Sequence, residues 1–245
     1  MIQHRRVRIA HQVNNTKIII IVVRNAHPTS EADWLPKNKK NLEQADKIYR
    51  KIIMEIQIIE EDQTALKEYG RVPMSFMVRS QFRIDLIDSG LGGFTFTEEP
   101  VSPEYVKDYD DGAGEGPERW AKIWDLSRWG VLSAFENGLR IGGGVMAFDT
   151  EDVYMLEGRN DLAALWDLRV HPDYRHKGVG TVIFQSAVDW AAERGCDFLK
   201  IETQNINVPA CTFYIKQGCS LGAVNRFAYP DLPHEIQMIW YKKIT

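Results

Sequence analysis

Apolar and polar residues alternate over Met54-Glu55-Ile56-Gln57-Ile58-Ile59-Glu60, the pattern of a strand with one buried face. Residues 62–69 then read as a short helix, because Gly70 stops it and Pro73 breaks the chain again. Weaker extended signals at 82–87 and 94–97 flank Gly90-Leu91-Gly92-Gly93. Two apolar runs, 130–135 and 139–148, enclose Glu136-Asn137-Gly138, and Asn-Gly between such runs predicts a β-hairpin. A strand at 165–170 ends at His171-Pro172, where proline removes a ladder donor. Val179, Val182, Ile183, Ala187, Trp190 and Ala191 recur at spacings of three and four, predicting a helix over 179–194 that Gly195 closes. A strand at 198–203, a short helix at 209–217 with Pro209 in its first turn, and a strand at 235–241 complete the pattern. This order of elements predicts an α/β layer structure with a mixed sheet.

Residues 1–53 follow a different pattern. Arg5, Arg6 and Arg8 precede a β-branched run at 18–23, a polar stretch follows at 28–41, and 42–53 carries Ala45, Ile48, Ile52 and Ile53 at near-helical spacing. We expect a partly flexible N-terminal extension over 1–53 and one domain over 54–245. The run at 18–23 is far below the roughly 20 residues a membrane helix needs, and it lacks the flanks of an export signal. No membrane partner is expected. Glu104, Asp108, Asp110, Asp111 and Glu115, among Gly and Pro between 98 and 118, read as an acidic loop.

Composition narrows the function further. The 245 residues have room for a sizeable core, and 44% hydrophobic with 26% charged residues is ordinary for a globular protein. A net charge of -4 offers no general attraction to phosphate backbones, so nucleic acid is not an expected partner. Cys196, Cys211 and Cys219 lack the paired spacing of a zinc site or disulfide framework. No metal is expected, and a reducing cytoplasm is the expected location.

The chemistry centres on Arg175-His176-Lys177-Gly178-Val179-Gly180, between the strand at 165–170 and the helix at 179–194. Glycines there permit close backbone approach, and the free amides at a helix N-terminus attract an anion such as a pyrophosphate. Arg175, His176 and Lys177 add donors or cations, although His176 reads equally as a solvated turn residue. The third glycine of a dinucleotide fingerprint and the Gly-Lys-Ser/Thr ending of a P-loop are both missing.

The strand at 165–170, this turn, and Asn207-Val208-Pro209-Ala210-Cys211-Thr212-Phe213-Tyr214 before Gly218 together resemble the GNAT superfamily of N-acetyltransferases. Glu202-Thr203-Gln204-Asn205-Ile206-Asn207, Ala210-Cys211 and Phe213-Tyr214, with Phe94-Thr95-Phe96-Thr97-Glu98, are similar to the streptothricin acetyltransferases within it. The resemblance covers about 54–245. It implies a mixed, mostly antiparallel central sheet with splayed central strands and flanking helices, and acetyl-CoA as co-substrate. It places the pantetheine arm along Leu168, Arg169 and Val170. The pyrophosphate falls on Arg175, His176, Lys177, Gly178, Val179, Gly180 and Thr181, with Asn207 further along.

Acetyl transfer needs a deprotonated amine, a thioester close to it, and a proton source for the departing thiolate. By the resemblance Tyr214 is the general acid. Asp167 is the first candidate for general base and Glu157 the second, with a water relay open to either; Asp167 reads equally as an ion-pair partner. Trp166 stands where related sequences often have a second acidic residue. Glu202 is either substrate-facing or paired, and Trp120, Trp124 and Trp129 read as packing residues more readily than as a substrate wall. The expected activity is acetylation of a primary amine on a small cationic molecule, with streptothricin as candidate acceptor, drawn in by the acidic stretch. Protein or peptide N-acetylation and a non-catalytic acetyl-CoA-binding module are the alternatives. A homodimer is left open.

Overall fold

The computed structural model describes residues 6–13, 16–23, 55–111 and 116–244. Among them nine strands form one sheet. In chain order they are β1 (Arg6–Val13), β2 (Thr16–Val23), β3 (Glu55–Glu61), β6 (Gly130–Glu136), β7 (Leu139–Phe148), β8 (Leu162–Val170), β9 (Phe198–Gln204), β10 (Ser220–Asn225) and β11 (Gln237–Lys243). Two more, β4 (Phe76–Ile87) and β5 (Gly93–Lys107), pair only with each other. The spatial order is β1-β2-β3-β6-β7-β8-β9-β11-β10, with β8–β9 parallel and every other pair antiparallel. The mixed, mostly antiparallel sheet is thus the one expected.

Four helices flank the strands among the described residues: α1 (Leu66–Tyr69), α2 (Trp120–Ile123), α3 (Val179–Glu193) and α4 (Val208–Lys216). The hairpin predicted by Asn137-Gly138 is β6–β7, with both turn residues at positive φ. α3 buries Val182, Ile183, Phe184, Ala187 and Ala191 against β7 and β8, the apolar stripe that its spacing predicted. On the other face Tyr69, Leu126, Trp129, Val145 and Ala164 form a second core. Gly143 on β7 lets Tyr69 lie flat there: a Cβ at 143 would stand 2.5 Å from the Tyr69 ring and 2.4 Å from the Leu132 carbonyl.

Several boundaries differ from the sequence expectation. The described parts of the N-terminal extension are the hairpin β1–β2, joined to the sheet through β2–β3 pairing; the helix expected at 42–53 lies outside the described residues. The helix expected at 62–69 divides into a 3-10 turn, Gln63–Ala65, capped by Asp62, and α1. Residues 98–107, expected as loop, belong to the long strand β5. Its charges conceal the strand because the β4–β5 ribbon is solvated and pairs them across the ladder, Arg83 with Glu99 at 2.6 Å and Arg79 with Glu104 at 3.3 Å. Asn205 anchors the ribbon: its Nδ2 donates to the Phe82 carbonyl at 3.1 Å, while the Phe82 amide donates to the Asn205 carbonyl at 3.0 Å. No helix among the described residues is long and apolar enough to cross a membrane.

Candidate active site

The site begins where the only parallel pair comes apart among the described residues. β8 and β9 pair from Leu162↔Phe198 to Leu165↔Ile201, and beyond that β8 continues to Val170 and β9 to Gln204 without pairing. On its other side β8 stays bonded to β7, with a bulge that inserts Trp166 between the pairs Met146↔Leu165 and Val145↔Asp167. The bulge re-aims the strand. Strict alternation would put Trp166 and Asp167 on opposite faces; instead Trp166 packs with the Tyr69 core and Asp167 bonds to Tyr69 itself, while Leu168 and Val170 turn to the α3 face.

Two cavities flank the opening. The larger, about 820 Å³, runs along Leu168, Arg169, Val170, Arg175, His176, Gly178, Gly180 and Thr181 to α4. Gly178 caps α3 at φ 87°, and the Val182 amide makes the bond back to its carbonyl. The preceding amides, Val179, Gly180 and Thr181, have no acceptor within the helix and present a partial positive charge at the cavity, which fits a pyrophosphate. Val179 contributes through its backbone alone, since its side chain is buried in the core.

The basic side chains of the turn divide their work. Arg175 donates from Nε to the Val170 carbonyl at 3.0 Å, and from Nη2 to the carbonyls of Ser75 at 2.9 Å and Pro73 at 3.5 Å; burial pulls its pKa below the usual arginine value. His176, at φ 62°, lines the cavity. Lys177 lies outside the lining, its Nζ 5.1 Å from the centre of the Tyr174 ring. Asn207 caps α4 by accepting from the Ala210 amide at 3.2 Å and donates to the Tyr109 hydroxyl at 3.4 Å.

The smaller cavity, about 340 Å³, is walled by Trp120, Trp166, Tyr154 and Tyr109, with the carboxylates Asp110, Asp167 and Glu202. No lysine or arginine among the described residues lines it. Trp124 and Trp129 stack behind this wall, Trp124 with its ring centre 4.9 Å from that of Trp166. Of the three tryptophans read as packing residues, Trp120 therefore faces the cavity. Glu202 accepts from the Tyr229 hydroxyl at 2.6 Å, from Gln237 Nε2 at 2.8 Å and from the Tyr154 hydroxyl at 3.2 Å. Burial and the Glu202 charge raise both tyrosine pKa values, which keeps them protonated as donors. Tyr109, Tyr154 and Tyr229 escaped the sequence reading because each lies in a segment without periodic pattern; Gln237 lies in the strand expected at 235–241, where nothing local marks it as a partner of Glu202.

The three acid–base candidates occupy different environments. Tyr214 lines both cavities, and its hydroxyl has no hydrogen-bond partner among the described residues; burial raises its pKa, so it holds its proton. Asp167 lines the smaller cavity, but it accepts from Arg169 Nε at 2.9 Å, from Arg169 Nη2 and from the Tyr69 hydroxyl at 2.5 Å. Burial alone would lower the Arg169 pKa; the Asp167 charge and its hydrogen bonds outweigh this and raise it. Glu157 lies outside both linings, bonded to Lys200 Nζ at 2.5 Å, and that bond holds its carboxyl below the usual range.

A splayed parallel pair, a helix N-terminus suited to a pyrophosphate and an adjoining cavity with aromatic and acidic walls fit an acyl-CoA-dependent transferase. Residues 96–219 match the Acetyltransferase (GNAT) family, and the chain belongs to that family. Streptothricin acetyltransferase A of Bacillus subtilis (strain 168) is 31% identical over 180 residues, 73% of this chain and 94% of that protein. Streptothricin acetyltransferase of Escherichia coli is 33% identical over 171 residues, covering 68% of this chain and 84% of its own length. A Bacillus anthracis crystal structure in complex with acetyl coenzyme A aligns at 26% identity with a TM-score of 0.61, over 77% of this chain and 99% of its own. The crystal structure of nourseothricin acetyltransferase shares the fold, at 21% identity and a TM-score of 0.60 over 78% of this chain and 99% of that one. The protein is an acetyl-CoA-dependent N-acetyltransferase.

Proposed function

We propose that the enzyme acetylates a primary amine of a small cationic molecule, with streptothricin as the acceptor, by direct transfer. One observation carries the reading. The cavity beside Tyr214 has an aromatic wall and the carboxylate of Glu202, whose donors are all neutral, together with Asp110 and Asp167, which pair with Arg169; no cationic side chain lines it. Carboxylates attract an ammonium, and the faces of Trp120, Trp166 and Tyr154 hold it or its apolar neighbours. The names of the relatives point to the same acceptor.

The thioester supplies an activated acetyl group. Backbone along Leu168, Arg169 and Val170 holds the pantetheine arm, and the amides of Val179, Gly180 and Thr181 hold the pyrophosphate with help from His176. Glu202 takes the proton of the acceptor ammonium. Asp167 and Asp110 are both paired with the Arg169 guanidinium, and Glu157 stands outside the cavity; Glu202 has only neutral donors, Tyr154, Tyr229 and Gln237, so it is the carboxylate we assign to this step. As the new N–C bond forms and the C–S bond breaks, Tyr214 gives its proton to the leaving sulfur and regains one from solvent. Acetylation turns a cation into a neutral amide. With streptothricin as the acceptor, the product is the antibiotic with one cation neutralised, so the reading implies resistance.

The test mixes enzyme, acetyl-CoA and a panel of amines including streptothricin and a lysine-bearing peptide, and follows free CoA thiol against a Tyr214→Phe control. Release with streptothricin, slowed roughly 100-fold or more by the substitution, is expected. Release with the peptide alone would replace the proposed acceptor by a protein.

A further inference from the structure

Direct transfer requires the acyl carbonyl to stand where the acceptor cavity meets the cofactor cavity. Six residues line both: Met74, Tyr109, Leu168, Asn207, Ala210 and Tyr214. Leu168 belongs to β8, and Asn207, Ala210 and Tyr214 to α4 and its cap, the elements that define the groove. Met74 comes from a segment without regular structure between α1 and β4.

That segment is fastened with unusual care. Arg169 Nη1 donates to the Val72 carbonyl at 3.0 Å, Arg175 Nη2 to the carbonyls of Ser75 at 2.9 Å and Pro73 at 3.5 Å, and Arg169 Nη2 lies 3.5 Å from the Met74 sulfur. Both guanidiniums come from β8 and the turn after it, so the segment is tied to the strand that carries the acyl donor. The Arg169 side chain is wholly buried. A simple chain reversal needs none of this; the four contacts hold one apolar, flexible side chain at the junction of the cavities.

We propose that Met74 sets the length of the acyl chain the enzyme accepts, with Arg169 and Arg175 as the positioning residues that hold it there. The inference rests on acyl-CoA as donor and is independent of which amine accepts. An acetyl methyl fits in front of the thioether, and each further methylene has to displace it. In an apolar pocket one methylene is worth roughly 10- to 200-fold in kcat/KM.

The experiment measures kcat/KM for acetyl-, propionyl- and butyryl-CoA with streptothricin as acceptor, in wild type, Met74→Ala and Met74→Leu. The propionyl-to-acetyl ratio should rise at least about tenfold in Met74→Ala and stay at the wild-type value in Met74→Leu. Taking the ratio within each variant removes any general loss of folded enzyme. The ratio of dissociation constants for propionyl-CoA and acetyl-CoA, measured calorimetrically on the same proteins, should move the same way. Streptothricin failing to turn over while that binding ratio moves would reject the acceptor and keep Met74; ratios unchanged in Met74→Ala would overturn the proposal.

Discussion

Asp167 and Arg169, two residues apart on β8, project to the same side and pair inside the protein, with Nε and Oδ1 2.9 Å apart. The guanidinium is 0% exposed and the carboxylate 4%. From this pair the bonds radiate to Tyr69 of α1, to the Val72 carbonyl, and to Asp110 at 2.8 Å on the acceptor cavity wall. The central strand thereby fixes three segments that are distant in sequence, and the acceptor cavity inherits its shape from them.

Asp167→Asn should therefore act on stability first. It leaves a buried arginine short of its main counter-charge, which costs about 3–5 kcal/mol. Adding Arg169→Met removes the orphaned charge and should recover part of the loss. Urea unfolding followed by tryptophan fluorescence measures both. A variant of wild-type stability with activity down a hundredfold or more would instead make Asp167 the base.

Glu202→Gln should leave acetyl-CoA binding unchanged and lower kcat/KM for the amine by about 10²- to 10⁴-fold near neutral pH. The defect should shrink as pH rises through the pKa of the acceptor, because an amine that is already neutral no longer needs a base. A defect constant across pH, or one expressed in acetyl-CoA affinity, would remove Glu202 from that role.

How far these features were legible depends on the length scale of the signal. The Asn137-Gly138 hairpin and the α3 stripe rest on local spacing and stand in the structure as read; the Arg175 to Gly180 turn does lead into α3, but Lys177 lies outside the cavity lining and Arg175 is bonded to backbone carbonyls. The bulge at Trp166 has no local signature. It appears only when β8 is laid against β7, and it decides which way Asp167 faces. The long strand β5 was hidden by carboxylates that pair across a solvated ribbon instead of following a buried face. Glu202, which lines the smaller cavity with Asp110 and Asp167, was visible as a residue; what sets it apart is that its partners are neutral, including Tyr154 and Tyr229, which are brought to it from loops far away in sequence.

Alkaline conditions should destabilise the fold. Burial is the main reason that the pKa values of Tyr69 and Tyr214, whose exposures are 0% and 7%, are raised. Above about pH 10 the unfolded chain loses protons that the folded chain keeps, so stability falls as pH rises, and it is fully present below that point. Each of these tyrosines contributes a loss of about 1.4 kcal/mol per pH unit. The urea midpoint should drop between pH 8 and pH 11, and Tyr214→Phe should make the drop smaller. A midpoint that does not move over that range would contradict the assignment.

Two glycines at the start of α3 separate folding from acetyl-CoA binding. Gly178 has φ 87°, and a Cβ there would have nothing within 4 Å, so Gly178→Ala costs backbone strain alone, about 1–2 kcal/mol. Gly180 is helical, and a Cβ there would make ordinary contacts with Phe213 at 3.6 Å and Val170 at 3.7 Å. Gly180→Ala should therefore keep stability or raise it by about 0.5–1 kcal/mol. Both substitutions put a methyl on the wall of the larger cavity, beside the amides assigned to the pyrophosphate, so both should weaken acetyl-CoA binding. Thermal unfolding paired with calorimetric titration of acetyl-CoA reads the two effects separately. If Gly180→Ala bound acetyl-CoA as tightly as wild type, the amides of Val179, Gly180 and Thr181 would not be the pyrophosphate site, and the cradle would have to be sought on the α4 side of the cavity.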